Sequence, residues 1–156
     1  MDAIDKKILT LLQKDASISL AVLAAQINLT TTPCWKRVQR LERDGYITKR
    51  VALASPEKLN LKVSVLVTVK TTGLSADQIK KFVSDVSGTA YVLDFFQLDD
   101  ADTYSIRLVM PDRAAYDVFH KRLVDDLQIK DITTNFVSQS LKQTTAYPVS
   151  ALTVRK

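Results

Sequence analysis

Thr30-Thr31-Thr32-Pro33-Cys34-Trp35-Lys36-Arg37-Val38-Gln39-Arg40-Leu41-Glu42-Arg43-Asp44-Gly45 is the stretch on which the reading of this chain turns. Its threonines and Pro33 suit the first turn of a helix, where hydroxyls cap free N–H groups and a missing N–H costs nothing. Asp44-Gly45 suits the end of that helix, because glycine readily adopts the left-handed backbone that closes one. At about 100° per residue, Cys34, Val38 and Leu41 fall on one stripe, and Thr32, Lys36, Gln39, Arg40 and Arg43 fall on the opposite arc. Such a helix is apolar inside and basic outside. From Lys36 to Arg50, the cations Lys36, Arg37, Arg40, Arg43, Lys49 and Arg50 face only Glu42 and Asp44. A charge run is by itself an ordinary solvated face, so the neighbouring segments decide what it means.

Upstream, Ile4, Ile8, Leu11 and Leu12 recur at helical spacing and predict a helix over Ala3 to Lys14, with Asp2 and Asp5 at its positive end. Asp15-Ala16-Ser17-Ile18-Ser19 interrupts the pattern, and Ser19 suits the N-cap of a second helix carrying Leu20, Leu23, Ala24 and Ile27. Asn28-Leu29 is then a short turn. Two short helices followed by a third that is basic outside make a helix-turn-helix unit, which sets the N-terminal part of its last helix in the DNA major groove. By position, Thr31, Thr32, Lys36 and Gln39 are candidates for base edges, and Arg40, Arg43, Lys49 and Arg50 for phosphates. Thr31 and Thr32 have a second reading as caps alone. Arg37, nearer the core edge, is expected to pair with acids rather than contact DNA, and Trp35, flanking the apolar stripe, to pack against the first or second helix, with contact to a base or sugar as the alternative. Cys34 reads as a small buried hydrophobe. Tyr46 to Val51 reads as a short strand or linker.

Downstream, Lys62 to Lys70 alternates with period two and predicts a strand with Val63, Val65, Val67 and Val69 on one face. A helix from Ser75 to Ser87 follows. Ala90 to Leu98 and Thr103 to Met110 read as strands of a hairpin around Asp99-Asp100-Ala101-Asp102. A helix over Arg113 to Asp126, a strand over Asp131 to Gln139 and a tail with Tyr147 and Pro148 complete the chain. The order strand, helix, strand, strand, helix, strand is a ferredoxin-like arrangement, so the class is α+β. The expected division is a helix-turn-helix domain at 1–48, a linker at 49–61 and a ferredoxin-like domain at 62–156. Helices would cover one sheet face only. Leu66, Phe95 or Phe96, and Val109 are available for the other, which predicts a symmetric homodimer whose paired heads match palindromic half-sites.

Composition narrows the class further. With 156 residues, 46% hydrophobic, 25% charged and only three glycines, the chain folds, and disorder and repeat arrays are excluded. Its net charge is +5, of which the first 61 residues carry most, with ten basic and six acidic groups. A polyanionic partner fits that asymmetry. One cysteine, Cys34, and one histidine, His120, supply neither a disulfide nor a four-ligand zinc site, so no metal or cofactor is expected. No apolar run approaches the roughly 18 to 20 residues that span a bilayer, and Met1-Asp2-Ala3-Ile4-Asp5 is not a basic signal head. The expected location is cytoplasmic, at the nucleoid, with no membrane partner.

The run from Ile4 to Ile47, above all ILTLLQKDASIS at Ile8 to Ser19 and TTTPCWKRVQRLERDGYI at Thr30 to Ile47, resembles the Lrp/AsnC or feast/famine transcription factors. It is most similar to the branch that responds to cysteine, through the Thr-Pro-Cys-Trp-Lys-Arg opening of the third helix and the VAL-x-x-PEK stretch at Val51 to Lys58. The likeness continues through Phe119-His120-Lys121-Arg122-Leu123-Val124 and covers nearly the whole chain. It implies a winged-helix-like DNA-binding domain, a short joining strand and an amino-acid-sensing domain, with dimers assembling further to octamers. It also implies that a small amino acid binds between dimers, beside the loop joining the second and third strands.

The family pattern in that loop is Gly-x-x-Asp-Tyr. Here the matching positions are Asp100, Ala101, Asp102, Thr103 and Tyr104, so only the tyrosine remains. The effector-binding candidates are therefore Asp99, Asp100, Asp102, Thr103 and Tyr104. Three acids within four residues repel a ligand carboxylate and attract an ammonium group, a basic ligand or a cation, or else form a solvated turn.

The preferred reading is a sequence-specific transcriptional regulator without enzymatic activity. Two others compete with it. Siroheme decarboxylases resemble this family in architecture, but His120 has no partner histidine, and a Cys34–His120 pair would join different domains. A nucleoid-organising protein that binds DNA with little base preference differs from the regulator only in degree.

Overall fold

A computed structural model of the chain describes residues 1–151. Contacts divide it into two compact units: Met1–Leu53 together with residues 142–151, and Ala54–Leu141. The C-terminal stretch expected with residues 62–156 therefore groups instead with the N-terminal helices. The side-chain amide of Gln13 clasps the backbone of Tyr147, accepting from its N–H at 2.7 Å and donating to its carbonyl at 3.2 Å. Val149 packs against the helical core.

The first unit holds α1 (Ala3–Lys14), α2 (Leu20–Gln26) and α3 (Thr31–Arg43). Asp2 and Asp5 form a reciprocal capping box at the start of α1, and the Ser19 hydroxyl caps α2. Both α2 and α3 end in the paired hydrogen bonds of a Schellman motif. In α2 the N–H groups of Asn28 and Leu29 donate to the carbonyls of Ala25 and Ala24, and Asn28 takes φ +55°. In α3 Gly45 donates to Glu42 and Tyr46 to Leu41, with Gly45 at φ +76°. Ile8, Leu23, Ala24, Cys34, Val38 and Leu41 form the core. No strand forms between α3 and Val63, so of the two readings of Tyr46 to Val51, short strand or linker, the chain takes the second. The hydrogen-bonded ends of α3 close the helix without a strand.

One charged residue lies inside this core. Asp5 is fully buried, and its carboxylate accepts from the Arg37 Nη1 at 2.8 Å, the Arg40 Nη2 at 2.6 Å and the backbone N–H of Asp2 at 2.9 Å. Arg37 also reaches Asp2 at 2.6 Å, which is the pairing with acids expected of it. The clamp ties the first turn of α1 to the middle of α3. The backbone N–H of Asp5 and then Arg37 hold the Asp2 carboxyl at about 2, down from 3.8, against an opposing effect of burial.

The second unit contains β1 (Val63–Lys70), α4 (Ala76–Ser87), β2 (Val92–Gln97), β3 (Thr103–Met110), α5 (Arg113–Asp125) and β4 (Asp131–Phe136). The strands form one antiparallel sheet in the order β2-β3-β1-β4, the expected ferredoxin-like topology. The last strand stops at Phe136, short of the expected Gln139. Val65, Val67, Val69, Ile106 and Leu108 pack with Phe82, Val86, Phe119 and Leu123 of the two helices. Phe82 meets Phe95 and Tyr104 edge-on at centroid distances of 5.4 and 5.2 Å, arrangements that aromatic quadrupoles favour.

A register shift between Val92 and Asp94 decides which of two adjacent phenylalanines faces the helices. The shift skips Leu93 and turns Phe95 inward, leaving Phe96 57% exposed on the other face with Leu66. Val109 shares that face by register, opposite Ser64, but is itself buried. An Arg107–Asp94 ion pair crosses it.

Phe82→Ala empties the centre of the aromatic cluster and is expected to lower unfolding free energy by about 3–5 kcal/mol. Urea unfolding followed by circular dichroism measures it, and a loss below about 1 kcal/mol contradicts this packing. The folded-state value of Asp2 lies below its unfolded one, so its stabilisation is complete above pH 3.8 and is lost as pH falls towards about 2. Asp2→Asn is expected to flatten the acid-unfolding profile across that window, and an unchanged profile refutes the pairing.

Candidate nucleic-acid interface

The outward arc of α3 is set by the packing of its inward stripe. Because Cys34, Val38 and Leu41 are buried, the helical period turns Thr31, Thr32, Trp35, Lys36, Gln39 and Arg43 to solvent. Thr30 is the N-cap residue but makes no side-chain cap bond, and Thr31 and Thr32 occupy the first two helical positions. Neither of those hydroxyls is engaged among the described residues, so the capping reading for them falls away. Pro33 lies in the same first turn, where helical N–H groups lack partners in any case.

The candidate cations divide by what holds them. Lys36 and Lys49 are exposed and make no ion pair among the described residues. Among the described residues Arg43 reaches only its neighbour Asp44, at 3.2 Å. Arg50 donates to Glu42 at 2.8 Å, and the other oxygen of that carboxylate accepts from Gln39 at 3.0 Å. Glu42 thus links the end of α3 to the segment beyond it. Arg40, assigned from sequence to phosphates, gives one Nη to Asp5, yet its side chain stays 43% exposed. Arginine carries five N–H donors in a fixed fork, so one carboxylate leaves others to project outward.

Trp35 differs from expectation. It adjoins Leu12 of α1 and Leu20 and Leu23 of α2 around a shared recess, yet remains 51% exposed instead of being hidden by them. Its α3 neighbours at four-residue spacing are Thr31 and Gln39, on the margin of the arc opposite Arg37. The signal was present in the wheel, where position 35 falls between the buried stripe and the basic arc.

The turn between β2 and β3 carries the effector candidates. Asp100 accepts from the Thr103 N–H at 3.0 Å and from its hydroxyl at 2.5 Å, and that hydroxyl lowers the Asp100 carboxyl below its ordinary range. Ala101 takes φ +61° between them. Thr103 is buried, and Tyr104 lies in the aromatic core against Phe82. Asp100 and Thr103 thus satisfy each other in closing the turn. Tyr104 contributes its ring to the packing of this core. Asp99 and Asp102 remain exposed.

Burial pushes the Cys34 thiol up, which suits packing rather than nucleophilic chemistry. His120 belongs to the other unit, with its ring 5.9 Å from that of Tyr116. Among the described residues no cluster of His, Cys, Asp or Glu is arranged to hold a metal ion, and no helix is long and apolar enough to cross a membrane.

Comparison with known proteins bears on both units. Residues 1–48 match the winged helix-turn-helix DNA-binding family, and residues 64–147 match the Lrp/AsnC ligand binding domain. The chain is 41% identical over 150 residues to the DNA-binding transcriptional activator DecR of Escherichia coli K12, covering 96% of this chain and 99% of that one. It is 33% identical to the glutamate uptake regulatory protein of Zymomonas mobilis, covering 96% and 91%. The crystal structure of an AsnC family regulator from Agrobacterium tumefaciens superposes with a TM-score of 0.88 at 41% identity, over 96% of this chain and 98% of that one. A Neisseria meningitidis regulator solved as its L-Met complex superposes with a TM-score of 0.84 at 28% identity, over 96% and 97%. With both units matched by family and with relatives of 41% and 33% identity along nearly its whole length, the chain belongs to the Lrp/AsnC family of DNA-binding transcriptional regulators.

Proposed function

We propose that this chain regulates transcription by setting α3 in the major groove of specific duplex sites, under the control of a small amino acid. The observation that carries the reading is the solvent-facing arc of α3, where Lys36 and two free threonine hydroxyls stand on a helix anchored by its other side. Thr31, Thr32, Lys36 and Gln39 are assigned to base edges, and Arg40, Arg43, Lys49 and Arg50 to phosphates. Arg40 serves while anchored to Asp5, and Arg50 while paired with Glu42.

The open sheet face with Leu66 and Phe96 is assigned to a second copy of the chain, giving paired heads for palindromic sites and a route to octamers. The protein acts at the nucleoid as a regulator without catalytic chemistry. As effector we favour cysteine, on the likeness of the Thr-Pro-Cys-Trp-Lys-Arg segment to the cysteine-responsive branch. At the β2–β3 turn, the outward carboxylates of Asp99 and Asp102 suit its ammonium group rather than its carboxylate.

Lys36→Ala is expected to reduce the preference for a selected site over random duplex by about tenfold, whereas Arg43→Ala weakens both alike and lowers the salt slope by about one. Gel-shift titrations across a salt series measure both. Wild-type behaviour in both variants refutes the placement of α3, and a site preference near one in the parent chain favours DNA packaging instead. Thermal-shift screening of the twenty amino acids is expected to single out cysteine, with a smaller shift in Asp102→Asn. An equal shift in that variant removes the loop charge from the account.

A further inference from the structure

We propose that Trp35 is a specificity residue that reads thymine in bound duplex DNA, its indole lying against the thymine 5-methyl group at one margin of α3; the proposal rests on the DNA-binding reading above. Trp35 is the chain's single tryptophan. It stands half exposed in the second turn of α3, and its indole N–H has no hydrogen-bond partner among the described residues. A large aromatic surface left in water beside free hydroxyls and cations is apolar area available for burial when a partner arrives.

Two further features give it direction. Trp35 lines a recess together with Leu20, Leu23 and Val38, so one side of the ring adjoins apolar side chains while the rest faces water. Thr31, Trp35 and Gln39 form one row along the helix at four-residue spacing, so a groove that receives the threonine and the amide also receives the ring between them. The opposite margin of α3 is cationic and held by Asp2 and Asp5. The helix therefore offers an aromatic margin and a charged margin with polar groups between. In the major groove the group of matching chemistry is the methyl of thymine, the apolar feature among otherwise polar base edges.

The experiment uses the full chain and a duplex selected by it from a random-sequence pool. Tryptophan emission, which has one source in this protein, is expected to be quenched and shifted to the blue on binding. Each thymine of the site is then replaced singly by deoxyuridine, which removes the methyl and nothing else. At one or more positions affinity is expected to fall about fourfold, the burial of one methyl-sized group. Trp35→Ala is expected to lose that dependence, and Trp35→Phe to keep part of it. Equal affinity for every deoxyuridine duplex overturns the proposal, even if emission changes. So does the same methyl dependence in Trp35→Ala, or emission that stays constant while a duplex binds selectively. Failure to bind any duplex overturns the DNA-binding reading together with this one. The emission and deoxyuridine series on the parent chain stand even if the variants misfold.

Discussion

A carboxylate sealed from water must be answered by donors close at hand, and in this chain Asp5 is answered by Arg37 and Arg40. That requirement fixes more than one ion pair. It holds the first turn of α1 to the middle of α3 and so sets the rotation of α3 about its own axis. A small rotation would move Lys36, Gln39 and Trp35 around the arc together, since a helix turns as a unit. Breaking such a cluster by removing one partner is costly because the remaining charges lose their match, although here water reaches both arginines and softens the loss. The hydrophobic core seats the helix, and the buried acid orients it.

The second unit is organised by packing of one sheet face under two helices. Its inward residues are valine, isoleucine and leucine on the central strands, with the Phe82–Phe95–Tyr104 cluster near the β2–β3 end. This arrangement explains why the turn following β2 is narrow in chemistry as well as in shape. Tyr104 is committed to the core and Thr103 to Asp100, so the polar groups left for a ligand at this turn are carboxylates.

Much of the fold was legible because period and capping agreed. Ser19, Ser75 and Gly45 sit at helix ends where their chemistry predicts them, and β1 alternates without interruption. The positions that escaped depend on partners distant in the chain. Arg40 looks like a free cation in sequence, since its acceptor Asp5 lies 35 residues away. The choice between Phe95 and Phe96 turns on one skipped residue, Leu93, which inverts strict alternation and leaves no compositional mark. Trp35 stands half out of the stripe that aromatics at such a position usually join, because helical angle alone does not say how far a neighbour reaches. The basic arc, by contrast, followed directly from spacing.

The clasp of Gln13 on Tyr147 ties sequence positions near opposite ends of the chain into one folded body. A head excised at residue 48, where the helix-turn-helix match stops, would leave Gln13 and the seat of Val149 uncovered. Deletion mapping would then misattribute: shortening the carboxyl end would register as a defect in the amino-terminal helices. For the same reason, reporter fusions and purification handles are better joined at a surface loop than beside that clasp.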